Sequence, residues 1–201
     1  MKLLLFSDLH CAGAAARALA AQARDADVLV GAGDFANMRR GLEICLPVLL
    51  QAGPPFLLVP GNNESLDELR AACSDYPNAR VLHGEGATID GVDFWGLGGG
   101  VPSTPFGAWS YDLTEAQARD LLRPCPARAV LISHSPPQGT LDVSSRGQHL
   151  GSVAVREAIE TNTPRLVVCG HVHHCAGQSA TIGETLVVNA GPEGVWHDLV
   201  T

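Results

Sequence analysis

Leu3-Leu4-Leu5-Phe6 runs without a break into Ser7-Asp8-Leu9-His10, and the same change of character recurs four times along the chain. Val28-Leu29-Val30 passes into Gly31-Ala32-Gly33-Asp34, and Phe56-Leu57-Leu58-Val59 into Pro60-Gly61-Asn62-Asn63-Glu64. Ala129-Val130-Leu131-Ile132 passes into Ser133-His134, and Leu166-Val167-Val168-Cys169 into Gly170-His171-Val172-His173. Each apolar run has the length of a strand, and none alternates apolar with polar, which marks strands covered on both faces. Strands of that kind belong to α/β sheets, whose ligands bind beyond the carboxyl ends of the strands. The five polar loops are therefore expected to converge on one place.

Helical stretches fill the early gaps. Ala12–Arg24 is Ala-rich with no breaker after Gly13, and Arg39–Gln51 is apolar but carries Pro47, which predicts a kinked or short helix. Ser65-Leu66-Asp67-Glu68 and Thr114-Glu115-Ala116-Gln117 read as capping boxes, and Ser152 as the cap of a helix to about Glu160. Asp90-Gly91 turns a hairpin over Thr88–Trp95, Gly183-Glu184 turns another over Ala180–Val187, and Gly194–Val200 reads as a last strand. The pattern is α/β with mixed sheets, and 1–201 is expected to form a single domain. Two long loops, Gly98–Asp112 and Ser135–Gly151, are expected to act as lids or pocket walls.

The 201 residues are 46% apolar and 17% charged, enough for a large core and wrong for a disordered chain. A formal net charge of −8 argues against a broad basic face for nucleic acid or an anionic membrane. No segment approaches the ~20 apolar residues of a membrane span, and the N-terminal apolar run is too short for a signal peptide. Six cysteines without a CxxC pair read as free thiols of a reducing cytoplasm. Location is thus expected to be cytoplasmic, without membrane attachment; the sequence leaves oligomeric state open.

The donors in the five loops are Asp8, His10, Asp34, Asn62, His134, His171 and His173. Carboxylate, amide and imidazole without thiolate suit Mn²⁺, Fe or Zn²⁺ and not a structural cysteine zinc site. Seven donors suffice for two ions only if one carboxylate bridges, and Asp34 is the natural bridge. Two ions ~3.5–4 Å apart hold a hydroxide and clamp a phosphate oxygen, which reconciles an acidic chain with an anionic substrate. A lone Asp-x-His carries no weight, and a single His134 is more often a satisfied core histidine. The ordered set is a strong signal.

Asp8-Leu9-His10, Gly33-Asp34, Gly61-Asn62-Asn63-Glu64, Ser133-His134 and Gly170-His171-Val172-His173 together resemble the motifs of the calcineurin-like metallophosphoesterases, over essentially the whole chain. The resemblance implies two packed mixed β-sheets flanked by helices, an αββα sandwich. It implies Asp8, His10, Asp34 and His173 around one ion, and Asp34, Asn62, His134 and His171 around the other. It implies two divalent ions, manganese first with iron or zinc as alternatives. The implied reaction is phosphoester hydrolysis by a metal-bridging hydroxide, with Asn62 helping to stabilise the developing charge.

One position departs from the family pattern. Where the family has a histidine near the leaving group, this chain has Asn63, and an amide cannot give up a proton at neutral pH. General acid catalysis is typically worth about 10²–10⁴ in rate. The departure favours small phosphodiesters whose leaving group needs little help, nucleotides among them. His149 is a candidate replacement acid, and Arg146 a candidate phosphate clamp. A broad phosphomonoesterase and a catalytically weak, metal-bearing scaffold are the alternatives. Phe106 and Trp109 are candidates to stack on a base, and Glu64 to orient the Asn62 loop.

Overall fold

The structure is a computed structural model and describes residues 1–200. The first half runs β1 (Lys2–Phe6), α1 (Gly13–Gln22), β2 (Val28–Gly31), α2 (Leu42–Leu50), β3 (Phe56–Leu58), α3 (Leu66–Cys73) and β4 (Ala79–Val81). The second runs β5 (Glu85–Ile89), β6 (Val92–Leu97), α4 (Glu115–Leu122), β7 (Val130–Ser133), α5 (Val153–Asn162), β8 (Leu166–Cys169), β9 (Ser179–Ile182), β10 (Thr185–Asn189) and β11 (Val195–Asp198).

Two mixed sheets result, with the strand orders β11-β1-β2-β3-β4 and β5-β6-β7-β8-β10-β9. The inner strands of each are parallel, and antiparallel strands (β11 in one, β5 and β9 in the other) close the edges. Every residue of β2, β3, β7 and β8 is buried, because successive side chains serve two cores. Leu3, Leu5, Val28, Val30 and Leu57 face Phe94, Val130, Ile132, Val168 and Val188 between the sheets. The alternate residues Leu4, Phe6, Leu29 and Phe56 pack under Ala16, Leu19, Leu46 and Leu49 of α1 and α2. Leu131, Val167 and Val187 pack under Ala118, Leu122, Val155 and Ile159 of α4 and α5. At roughly 1.5–3 kcal/mol per buried large aliphatic or aromatic side chain, these three layers of contact hold the αββα sandwich.

Local signals behave largely as their chemistry predicts. Both capping boxes form, Ser152 Oγ accepts from Val155 N, and Asp90 and Gly91 turn the β5–β6 hairpin with positive φ. The second hairpin joins β9 to β10. The Arg39–Gln51 expectation is corrected: the helix begins only at Leu42. Asn63 draws residues 38 and 39 away, accepting Met38 N on Oδ1 and Arg39 N on its carbonyl. The Ala12–Arg24 helix ends at Gln22, followed by a 3₁₀ turn over Ala23–Asp25. β4 has no counterpart among the apolar runs, since as an edge strand with Arg80 exposed it lacks their composition.

Neither long loop is free of the body. Gly99 N donates to Pro60 O, and Tyr111 N to Asn62 O, both at 2.9 Å. In the other loop Val143 and His149 pair across a short bridge, as do Pro137 and Ser152. All six cysteines are free thiols, and all but Cys11 are buried. No helix among the described residues is long and apolar enough to cross a membrane.

Candidate metal centre

The loops after β1, β2, β3, β7 and β8 meet at one end of the two sheets. Their close approach depends on glycine. A Cβ at Gly61 would collide with Asp34 Oδ1, and a Cβ at Gly170 with Asp8 Oδ2. Phe35, next to Asp34, locks the β2 loop by packing against Phe6 and Phe56, with ring centroids 6.4 and 6.3 Å away. Asp8, His10, Asp34 and His171 all have positive φ, between 42 and 65°. Non-glycine residues held there cost on the order of 1–3 kcal/mol each, strain that clusters at functional sites.

Asp8, His10, Asp34 and His173 each offer a ligand atom, all within 4.8 Å of one another. His10 Nε2 lies 3.0 Å from His173 Nε2 and 3.5 Å from Asp34 Oδ2, and His173 Nε2 lies 3.6 Å from Asp8 Oδ1. On the other side of Asp34, His134 Nε2 lies 3.6 Å from Oδ1. Asn62 Oδ1 lies 3.3 Å from His134 Nε2 and 3.1 Å from His171 Nδ1. Donors bound at about 2.1 Å to one ion stand roughly 3–3.5 Å apart, so these spacings suit ligands better than paired hydrogen-bonding groups. His134 Nδ1 is 2.8 Å from Ala32 O, so it carries the proton and leaves the Nε2 lone pair toward Asn62 and Asp34.

Electrostatics point the same way. Asp8 and Asp34 are buried, and among the described residues only histidines lie within ion-pair reach of them. Buried charges are ordinarily paired or coordinate metals. Burial, and then the Asp8 charge, push Asp34 up to about 6. Burial also works against Asp8, but the bond to His173, the His134 charge and the Ser7 hydroxyl hold it down at about 2. Burial and the neighbouring His134 charge pull His171 down to about 3, keeping the imidazole neutral as a ligand must be. His173 is raised by its bond to Asp8. The donor set, its spacing and its uncompensated carboxylates therefore fit divalent cations.

Around the donors stands a supporting layer. Glu64, fully buried, accepts Asp34 N and Gly61 N on Oε1 and Ala36 N on Oε2, which ties the β3 loop to the β2 loop. Burial and the Asp34 charge push it up to about 7, against the pull of the Gly61 and Ala36 amides. Asn63 points at Asp34: its Nδ2 donates to Oδ2 at 2.7 Å and its backbone N to Oδ1 at 2.8 Å. Ser7 Oγ donates to Asp8 Oδ2, and Asn189 Nδ2 donates to Gly170 O and Val172 O on either side of His171. Ser7 and Asn189 carried no signal in the sequence, where nothing separates them from other polar residues at strand ends.

No hydrogen bond or ion pair among the described residues joins the side chain of His149 or Arg146 to the seven donors. His149, with 63% of its side chain exposed, is held by the buried Asp142, whose Oδ1 lies 2.9 Å from Nδ1. Phe106 and Trp109 stack on each other, ring centroids 5.5 Å apart, on the loop that carries Ser110.

The four-layer α/β sandwich carries imidazole, carboxylate and amide donors at the ends of its strands. Residues 1–199 match the calcineurin-like phosphoesterase superfamily domain, and the chain belongs to that superfamily. A Caenorhabditis elegans relative, UPF0046 protein K07C11.7, is 29% identical over 187 residues, covering 83% of this chain and 62% of its own length. The chain thus spans under two thirds of that relative. The Thermus thermophilus protein TT1561 shares the fold at a TM-score of 0.76 and 20% identity, over 96% of this chain and 90% of that one. A dimetal phosphatase from Danio rerio does so at 0.64 and 12%, over 94% and 86%.

Proposed function

We propose that this chain acts as one domain, residues 1–201, and hydrolyses a small phosphodiester, nucleotides among the candidates. The observation that supports this best is the convergence of seven donors from five loops on the two sides of Asp34. Asp8, His10, Asp34 and His173 would hold one divalent ion, and Asp34, Asn62, His134 and His171 the other. Manganese is the ion proposed, with a cytoplasmic location and no membrane or extended nucleic-acid partner. When bound, such ions supply Lewis-acid stabilisation of a phosphoryl oxygen and lower the pKa of a water.

The chain's own contribution is positioning. Glu64 and Asn63 hold Asp34 in place, and Asn62 would help to stabilise the developing charge as a ligand of the second ion. The preference for a diester rests on Asn63. It cannot protonate a leaving group, and its amide is committed to Asp34 Oδ2 and Met38 N. Esters with stable leaving groups need no such proton. For less stable ones, His149 held by Asp142 is the proposed acid, and Arg146 the proposed clamp on a phosphate oxygen.

The test is hydrolysis of bis-p-nitrophenyl phosphate beside p-nitrophenyl phosphate, after metal stripping and Mn²⁺ restoration, with Asp34→Asn as control. Mn²⁺-dependent cleavage favouring the diester, abolished in the variant together with binding of the second ion, is expected. Preference for the monoester would make the protein a phosphatase. No cleavage of either by protein carrying two ions would leave a metal-bearing scaffold.

A further inference from the structure

We propose that Ser110 is a positioning residue that sets the orientation of the Asn62 side-chain amide, and through it the affinity of the ion site built on Asn62, His134 and His171. The inference rests on the reading of Asn62 as a metal ligand. An Asn side chain is nearly symmetric in shape but not in chemistry, since one end accepts and the other donates. Only one of its two orientations presents Oδ1 to His134 and His171, and something must choose it.

The geometry points to a three-residue polar cluster on the loop 98–112. Asn62 Nδ2 donates to Ser110 Oγ at 3.1 Å, and Ser110 Oγ donates to Asp112 Oδ1 at 2.8 Å. Asp112 Oδ2 accepts both the backbone N and the hydroxyl of Thr104, at 2.9 and 2.8 Å. A carboxylate only accepts, so Asp112 takes the Ser110 proton, while the Thr104 hydroxyl is shared between Asp112 Oδ2 and Ser110 Oγ, 2.9 Å away. Ser110 Oγ is left with lone pairs alone for Asn62. The amide NH₂ must face it, and Oδ1 is turned toward the two histidines.

The backbone holds the cluster independently of the Ser110 hydroxyl. Tyr111 N donates to Asn62 O, Gly100 N to Tyr111 O and Leu113 N to Gly100 O, each at 2.9 Å. Gly100 makes room: a Cβ there would stand 2.5 Å from Asp112 Oδ1 and 3.4 Å from Asn62 Cβ. Removing the hydroxyl therefore leaves the loop in place and unlocks the amide. A substitution at Asp112 acts on the same choice. In Asp112→Asn the amide oxygen must stay opposite Thr104 N, which puts the NH₂ against Ser110 and frees the Ser110 proton to turn toward either Asn62 or Thr104 Oγ1.

The experiment is calorimetric titration of Mn²⁺ into chelator-stripped protein, comparing wild type, Ser110→Ala, Ser110→Thr, Asp112→Asn and Asn62→Ala. Loss of a hydrogen-bonded support for a ligand typically weakens metal binding 10–100-fold. The expected result is a loss of about that size in Ser110→Ala, and a smaller one in Asp112→Asn, for the one Mn²⁺ ion that Asn62→Ala also weakens, with the other ion unchanged. Ser110→Thr, which keeps the hydroxyl, is expected to restore it. Both ions bound at wild-type affinity by Ser110→Ala, or both weakened equally, would overturn the inference. A merely structural role would lower both affinities or the melting temperature of metal-free protein without rescue by Thr. Wild-type protein binding a single ion, or Asn62→Ala binding two normally, would overturn the ligand reading instead.

Discussion

Asn63 grips both oxygens of the Asp34 carboxylate, giving its side-chain Nδ2 to Oδ2 at 2.7 Å and its backbone N to Oδ1 at 2.8 Å. The residue that departs from the family pattern thus faces the carboxylate at the centre of the donor set. An imidazole in its place could keep one nitrogen on Asp34 and present the other to substrate. Asn63→His is expected to speed hydrolysis of phosphoesters with poor leaving groups by about 10²-fold or more, and of nitrophenyl esters far less. A leaving-group series measures this, and a uniform change across it would remove position 63 from the departing oxygen.

Glu64 joins two donor loops through three buried backbone amides. Glu64→Ala leaves Asp34 N, Ala36 N and Gly61 N without partners, each costing about 1–3 kcal/mol. A loss of about 3–5 kcal/mol in urea unfolding of metal-free protein is expected. Glu64→Gln is expected to lose less, because its oxygen still serves the pair on Oε1 while its NH₂ faces Ala36 N. Equal losses in the two variants would mean that the carboxylate charge and the Ala36 N acceptor, which both variants remove, matter there and the bonds on Oε1 do not.

Metal binding is expected to release protons below neutral pH. Asp34, raised to about 6, keeps its proton in metal-free protein at pH 5 and must lose it to bind an ion. His173, also raised, adds to the release, whereas His171 near 3 is already neutral and contributes nothing. Affinity should therefore climb with pH through about 6 as Asp34 ionises, and go on rising above 6.5 until His173 has lost its proton. Mn²⁺ calorimetry in buffers of different ionisation enthalpy reads the protons directly. Release that is the same at pH 5.5 and 7.5 would contradict the Asp34 assignment.

His149 is positioned by Asp142, which is itself buried and also accepts Gly139 N at 2.9 Å. As the acid for poor leaving groups, its loss in His149→Ala should lower turnover of alkyl phosphodiesters by about 10²-fold or more and spare nitrophenyl esters. Asp142→Asn should give a smaller loss of the same selectivity. Unchanged alkyl-ester turnover would leave the pair as a staple of the loop.

Much of the site is legible in the sequence because strand and donor are adjacent along the chain. A buried parallel strand must be apolar throughout, and a ligand at its carboxyl end must follow at once, so Phe6 before Ser7-Asp8 and Cys169 before Gly170-His171 are visible as pairs. Capping boxes and the Asp90-Gly91 turn are legible for the same reason: donor and acceptor lie within four residues.

Tertiary structure alone decided what depends on residues far apart. The edge position of β4 and the antiparallel return of β11 to β1 follow from sheet pairing, which leaves no local pattern. The direction of the Asn63 amide, the Asp34 and Ala36 amides on Glu64 and the Ser110–Asp112 hold on Asn62 are contacts across 25 to 48 residues of chain. A polar side chain in a loop looks the same in sequence whether it faces water or a ligand. Only the packing of the two sheets, which brings the loops within hydrogen-bonding distance and excludes solvent from between them, distinguishes the two.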